Sequence, residues 1–374
     1  MTSRSRMAIG FFVIVGAAAA GCTAPTLRVQ DHVKVGMLAP LNSGVAAAAR
    51  AAVQGATLAV DEVNASRGAS GAMVTLVVLD DRGNMEESAR QFQVLVDQRV
   101  VAIVGPLTDA TAIAVAPLAE RGGMALVSPG ATGTIPYSGT SFFRTALPAE
   151  SQAAALAEFA VRTKRTRRIS MVQDNNEYGT LVGLAFSQRV RALGGEIVGT
   201  RLYRDGQTDF SRHAGGVVAD RADAVFIAGY PDEGALILAA LKNRGVRVIV
   251  LGSDALYSTD LLTWARGATD DLYLPAPFVA SEPLPAVQDF VTKYRRRFNE
   301  APDHFAAQGY DAVKMVVSAV RKSGSEPAAI RAGLQGMRRF PGVTGEITLD
   351  RWGAPARPVG IARVHVGQFE LVRR

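Results

Sequence analysis

From residue 33 onward, short apolar runs alternate with longer segments whose apolar positions recur every three or four residues. Val33–Leu38 reads as a strand, and the following VAAAARAAVQGATLAVDEVNAS carries Ala, Val and Leu at helical spacing. MVTLVVL (Met73–Leu79) is a second strand; NMEESARQFQVLVDQ then opens with Asn84 as N-cap and acids in its first turn. Val100–Val104, a helix from about Asp109 to Glu120, and Ala125–Val127 continue the series. Such runs are too apolar for a sheet with one wet face, so they predict a parallel sheet covered on both sides by helices.

The alternation restarts after FFRTALPAESQ. A helix over 150–162 precedes strand Ile169–Val172, a helix from about Glu177 and strand Glu196–Leu202. Strands Ala224–Ala228 and Val248–Leu251 follow, with a helix near Asp232–Lys242 between them. Residues 281–322 are helical in pattern, and the end, GVTGEITLDRWGAPARPVGIARVHVGQFELVRR, alternates like two or three antiparallel strands. Two βα halves of similar make-up predict an α/β fold of two doubly wound parallel-sheet lobes. No low-complexity linker separates them, so the lobes are expected to exchange chain segments.

Composition narrows the class. With 48% hydrophobic and 20% charged residues over 374 positions, the chain can bury a sizeable core and is not disordered. The formal charge of +7 would permit a nucleic-acid partner, but the basic residues are scattered without aromatic interleaving. The clusters RTKRTRR (162–168) and RRR (295–297) read as solvated faces.

The N-terminus is more specific. Arg4 and Arg6 precede an apolar run, Met7–Ala20, shorter than the ~20 residues a bilayer span needs but suited to a signal peptide. The run ends in Ala19-Ala20-Gly21-Cys22, small residues before a cysteine as in a bacterial lipoprotein signal, with Ala19 where Leu is favoured. Removing residues 1–21 deletes two Arg and no acid, lowering the charge by two to +5. Cys22 is the only cysteine, which excludes an intramolecular disulfide and argues against a thiol or metal site. The mature chain is expected to be soluble, exported to the periplasm or cell envelope and tethered to a membrane by lipid on Cys22.

Much catalytic chemistry is absent. There is no P-loop, G-x-S-x-G or H-E-x-x-H, and the four histidines (His32, His213, His304, His365) have no ligand spacing. The turn after the first strand, APLNSGVAAAARAA, lacks the glycines of a dinucleotide site. No enzyme, cofactor or metal is expected. In open parallel sheets, ligands bind beyond the carboxyl ends of strands, where helix N-termini offer free N–H groups. The candidate loops are Pro40–Val45, Gly105–Asp109, Ser128–Thr132, Gln173–Gly179, Gly229–Glu233 (with Tyr230) and Gly252–Tyr257.

Here the sequence resembles the type I periplasmic binding proteins of the branched-chain amino acid, amide and urea group, the receptors of ABC importers. The resemblance is carried by VGMLAPL, GATLAVDEVNAS, LVVLDDRGN, AIVGPLTDATAIAVAPLAERGGMALVSPGATG, FFRT, VQDNNEYGT, DAVFIAGYPDEGA, VLGSDALY and GEITLDRWG, in order, and covers nearly all of 33–374. It implies a monomeric clamshell of two lobes joined by three crossovers. After a signal peptide (1–21) and tether (22–32), the N-terminal lobe would comprise 33–146 plus about 275–335. The C-terminal lobe would comprise 147–274 plus about 336–374. The partners implied are a small polar ligand and an ABC permease, with no nucleic acid.

The resemblance also implies ligand contacts. The carboxylate of a ligand would meet the turn at Thr108 and Asp109 and the turn at Ser128, Gly130 and Thr132. Its amine would meet Asp254, and the clamp of the second lobe would supply Tyr178. Two departures stand out. Asp109 takes the place of a hydroxyl residue, and an ionised carboxylate ~4 Å from a ligand carboxylate would repel it by about 1–4 kcal/mol. Ala48 stands where relatives place an aromatic or polar residue, widening the pocket, and Arg50 is a possible partner for Asp109. Other roles fit the same residues: Asp109 could cap its helix, Asp254 could cap the following turn, Ser128 and Thr132 could satisfy turns, Tyr178 could pack at a helix start, and Asp80-Asp81 could organise the turn into the next helix. The leading expectation is a lipid-anchored solute-binding receptor. The alternative is a sensor or regulatory lipoprotein of the same fold acting on a protein partner such as a cell-wall synthase or a kinase ectodomain.

Overall fold

The computed structural model describes residues 32–66, 71–136, 139–265 and 267–373. The expected signal peptide, Cys22 and all of the tether except His32 lie outside the described residues. The first lobe is built of βα units: β1 (His32–Ala39), α1 (Ala46–Ala65), β2 (Met73–Asp80) and α2 (Met85–Asp97). There follow β3 (Ala102–Val104), α3 (Asp109–Gly122), β4 (Leu126–Ser128) and β5 (Phe142–Arg144). The five strands are parallel throughout, in the order β2-β1-β3-β4-β5. Their apolar runs are continuous because both faces are covered. Val33, Val35 and Met37 bury against α1 on one side; Leu38, Ile103 and Leu126 bury against Phe92 and Leu95 of α2 and Val115 of α3 on the other.

The second lobe runs α4 (Ala149–Glu158), β6 (Arg168–Asp174), α5 (Glu177–Ala192), β7 (Glu196–Tyr203) and α6 (Ser211–Ala219). It continues through β8 (Ala224–Ala228), α7 (Pro231–Asn243), β9 (Ile249–Gly252), α8 (Thr259–Trp264) and β10 (Leu272–Ala276). The chain then returns to the first lobe as α9 (Pro285–Phe298), α10 (His304–Ser323), α11 (Pro327–Gln335) and the antiparallel pair β11 (Phe340–Gly342) and β12 (Gly345–Ile347). It ends in the second lobe as the hairpin β13 (Gly360–His365) and β14 (Gln368–Arg373). The second sheet has the order β14-β13-β10-β9-β8-β6-β7, parallel except for the two final strands.

The chain thus passes between the two cores three times, after β5, β10 and β12. Met337, Val343, Ile347 and Leu349 still belong to the first core, so the final return begins only after residue 349. Helices α1 and α10 pack almost backbone to backbone. A Cβ on Gly55 would lie 1.9 Å from the Ala306 carbonyl oxygen, and one on Gly309 would lie 2.3 Å from that of Ala52. This contact fixes the N-terminal end of α10, which borders the cavity described below. Among the described residues no helix is long and apolar enough to cross a membrane.

Candidate functional site

A cavity of about 460 Å³ lies between the lobes. All six loops singled out from the sequence, or the first turn of the helix beyond, reach it. Val45, Ala48, Leu107–Ala110, Gly130 and Thr132–Thr134 face it from the first lobe, and Asn176–Tyr178, Tyr230 and Asp254–Ala255 from the second. Its volume and its mix of apolar and polar lining are those of a small-molecule site.

In the first wall, α3 begins at Asp109, but its N-cap is Thr108, whose Oγ1 accepts the Thr111 N–H at 3.3 Å. The capping role expected of Asp109 therefore falls to its neighbour. Asp109 turns toward the β4 turn, where Oδ1 accepts the N–H groups of Thr132 (2.9 Å) and Gly133 (3.0 Å). The lack of a side chain at Gly133 makes room for this, since a Cβ there would meet Asp109 Oδ2 at 2.5 Å. Burial raises the Asp109 pKa above the carboxylate norm, although both N–H groups and the charge of Arg144 act against the rise.

Arg50 is not the partner of Asp109. It is exposed on α1, where it borders a separate cavity of about 690 Å³ lined by α1, α9 and the β13–β14 turn. The neighbouring cation is Arg144, buried behind the turn and donating Nη1 to the Ala131 and Gly133 carbonyls at 3.2 and 2.9 Å. Position 50 projects from a helix that leaves the cleft, which spacing along the chain did not reveal.

Ser128 is fully buried and does not line the cavity. Its hydroxyl donates to the Pro106 carbonyl at 2.6 Å and accepts the Ala131 N–H at 2.9 Å, tying the two turns of the first wall together. Gly130 and Thr132 do line the cavity. Gly130 has no space for a side chain, because a Cβ would stand 2.4 Å from the Leu107 carbonyl oxygen. Asp80 and Asp81 organise the β2 turn as expected, Asp80 accepting from the Leu41 and Arg82 N–H groups and Asp81 from that of Gly83.

The second wall is built from side chains. Asn176 caps α5 by accepting the Gly179 N–H at 2.8 Å, which sets Tyr178 in the first turn. The Tyr178 hydroxyl donates to Asp254 Oδ1 at 2.6 Å and accepts the Ala255 N–H at 3.2 Å. Gln152 Nε2 donates to Asp254 Oδ2 and to the Leu147 carbonyl, both at 3.0 Å. Burial raises the Asp254 pKa against these hydrogen bonds, and the charge of Asp109 adds to the rise. Burial and the Asp254 charge also hold the Tyr178 hydroxyl well above its ordinary value, so it stays a donor. The Tyr178 and Tyr230 rings lie 5.2 Å apart, with Tyr230 still 40% exposed at the rim.

Sequence reasoning missed Gln152, Ala146, His304, Phe305 and Gln308, which also line the cavity. They sit on the crossover after β5 and at the start of α10, not beyond strand ends. His304 is buried without a charged partner, and burial alone pushes its pKa down to about 3, so it is neutral. Among the described residues no cluster of His, Cys, Asp and Glu is arranged to hold a metal.

A family model described as "periplasmic binding protein" matches residues 32–368. The Leu/Ile/Val-binding protein BraC3 of Rhizobium johnstonii is 27% identical over 336 residues, covering 86% of this chain and 88% of that protein. Among solved structures, LivJ of Streptococcus pneumoniae in complex with isoleucine superposes with a TM-score of 0.83 at 25% identity, covering 92% of this chain and 100% of that one. The leucine-binding protein LivK of Thermotoga maritima gives 0.81 at 26% identity, over 91% and 97%.

Proposed function

The chain belongs to the periplasmic binding protein family, and from that premise we propose that it is a lipid-anchored receptor that captures a small polar ligand between its lobes and presents it to an ABC permease. It is a solute-binding protein of the ABC-transporter kind rather than an enzyme, located outside the cytoplasm. The relatives named above are named for, or solved with, branched-chain amino acids, which makes an amino acid or a related small polar metabolite the natural starting class of ligand.

The carrying observation is the cavity lined by loops of both sheets. A ligand touching both walls stabilises a closed arrangement over an open one by the difference of its contacts in the two, the usual origin of hinge closure. Micromolar binding needs about −8 kcal/mol. An ion pair to Asp254, hydrogen bonds to Thr132 and the Gly130 turn, and packing on Tyr178 and Tyr230 are of the right order. The receptor acts as a monomer, and Cys22 carries its lipid.

The test uses mature protein unfolded and refolded to strip any ligand, then screened by thermal shift against a broad metabolite panel. At least one compound is expected to raise Tm with saturating dose dependence; a panel with no such compound would contradict the reading. Separately, Cys22→Ser should move the protein from the membrane to the soluble fraction of its host envelope.

A further inference from the structure

The first wall contains a seat for an anion that is already taken. Two backbone N–H groups in one turn, those of Thr132 and Gly133, converge on a single point, and the oxygen at that point is Asp109 Oδ1. A ligand carboxylate arriving there would meet a negative charge instead of free donors.

The rest of the lining points the same way. Asp109, Glu177 and Asp254 border the cavity, while none of its described lining residues is Lys or Arg, and His304 is neutral. Arg144 offsets Asp109 from behind the turn but does not line the cavity, which leaves Asp254 and Glu177 unmatched there. An independent sign comes from Gln152, only 2% exposed and part of the cavity wall. Its Nε2 hydrogens go to Leu147 O and Asp254 Oδ2, which fixes the orientation of the amide. Its Oε1 then has no hydrogen-bond partner among the described residues. A buried acceptor left without a partner beside the Asp254 carboxylate calls for a donor from the ligand. Leu107, Ile113, Leu181 and Phe305 supply apolar surface for a hydrocarbon part, and the paired Tyr rings offer faces to a cation.

We propose that the cleft selects a small organic cation with N–H donors and no free carboxylate: an alkyl- or arylamine, an amino-acid amide, or a guanidine. In this assignment Asp254 and Gln152 Oε1 receive the cationic N–H groups, and Asp109 excludes acids by filling the seat they would need. This rests on the receptor reading above and narrows it.

Refolded protein is titrated by calorimetry with matched probes: leucine, leucinamide and 3-methylbutylamine; arginine and agmatine. In the wild type the carboxylate-free member of a pair should bind about tenfold or more tightly than its parent amino acid. Asp109→Ser should reverse or abolish that preference. Asp109→Asn, which keeps an acceptor on the Thr132 and Gly133 N–H groups, should weaken amine binding without restoring the acid. Tighter binding of leucine or arginine by the wild type overturns the inference and leaves the receptor reading standing, as does a preference that Asp109→Ser does not change. No binding by any probe here, nor by any compound in the broader panel, overturns both.

Discussion

Each wall of the cavity carries one half-buried aspartate, and the two are held in different ways. In the first wall Asp109 is bound by backbone N–H groups of a turn, donors whose positions are set by the main chain. In the second, Asp254 is bound by the side chains of Tyr178 and Gln152, which are themselves anchored to Ala255 and Leu147. Backbone donors are the stronger constraint because no rotamer change withdraws them. A carboxylate placed on them behaves as part of the wall. One held by side chains can exchange a hydrogen bond for a ligand cation as those side chains adjust. The comparison separates a residue that shapes the site from one that pairs with its occupant.

Breaking the second wall should have the largest effect. Asp254→Ala removes the paired charge and leaves Tyr178 and Gln152 without their partner; amine affinity measured by calorimetry should fall by on the order of 2–5 kcal/mol. Next comes the seat in the first wall. Gly133→Ala places a Cβ against Asp109 Oδ2 and pushes the carboxylate away, so leucine affinity should rise about tenfold, or ~1.4 kcal/mol. No change would mean that the Asp109 side chain yields without leaving the seat.

A smaller effect is expected from pH. Asp109 and Asp254 have folded-state pKa values raised above the ordinary 3.8 by burial, so each holds its proton to higher pH than a free carboxylate does. Their charge is present above those raised values and lost as pH falls through them. Amine affinity should therefore weaken on acidification before an exposed Asp would titrate, while Asp254→Asn flattens the profile. The same raised values favour the folded state at low pH, a preference lost as pH rises. Smallest is Thr108→Ala, which removes the cap of α3 and should cost about 1 kcal/mol by chemical denaturation, with the second wall unaffected.

Much of the architecture was legible because the chain states it locally. A strand buried on both faces must be apolar throughout, and the runs at Val100–Val104 and Ala224–Ala228 met that condition, with caps such as Asn84 marking helices. The loops that reach the cavity followed from strand order alone. What could not be read depends on contacts distant in sequence. Gln152 and His304 reach the cavity because the crossover after β5 and the start of α10 are drawn there by lobe packing, including the close approach of α1 and α10. The destination of Asp109 required knowing that the turn at 132–133 faces α3, and that Arg144, not Arg50, is the nearby cation.

The filled seat is the claim on which ligand class turns. A crystal structure of the stripped protein grown in millimolar acetate tests it directly, since acetate is the smallest carboxylate able to compete for those donors. The account predicts Asp109 Oδ1 within hydrogen-bond reach of the Thr132 and Gly133 N–H groups, and no acetate there. Asp109 rotated away, with acetate on those two N–H groups, would contradict it.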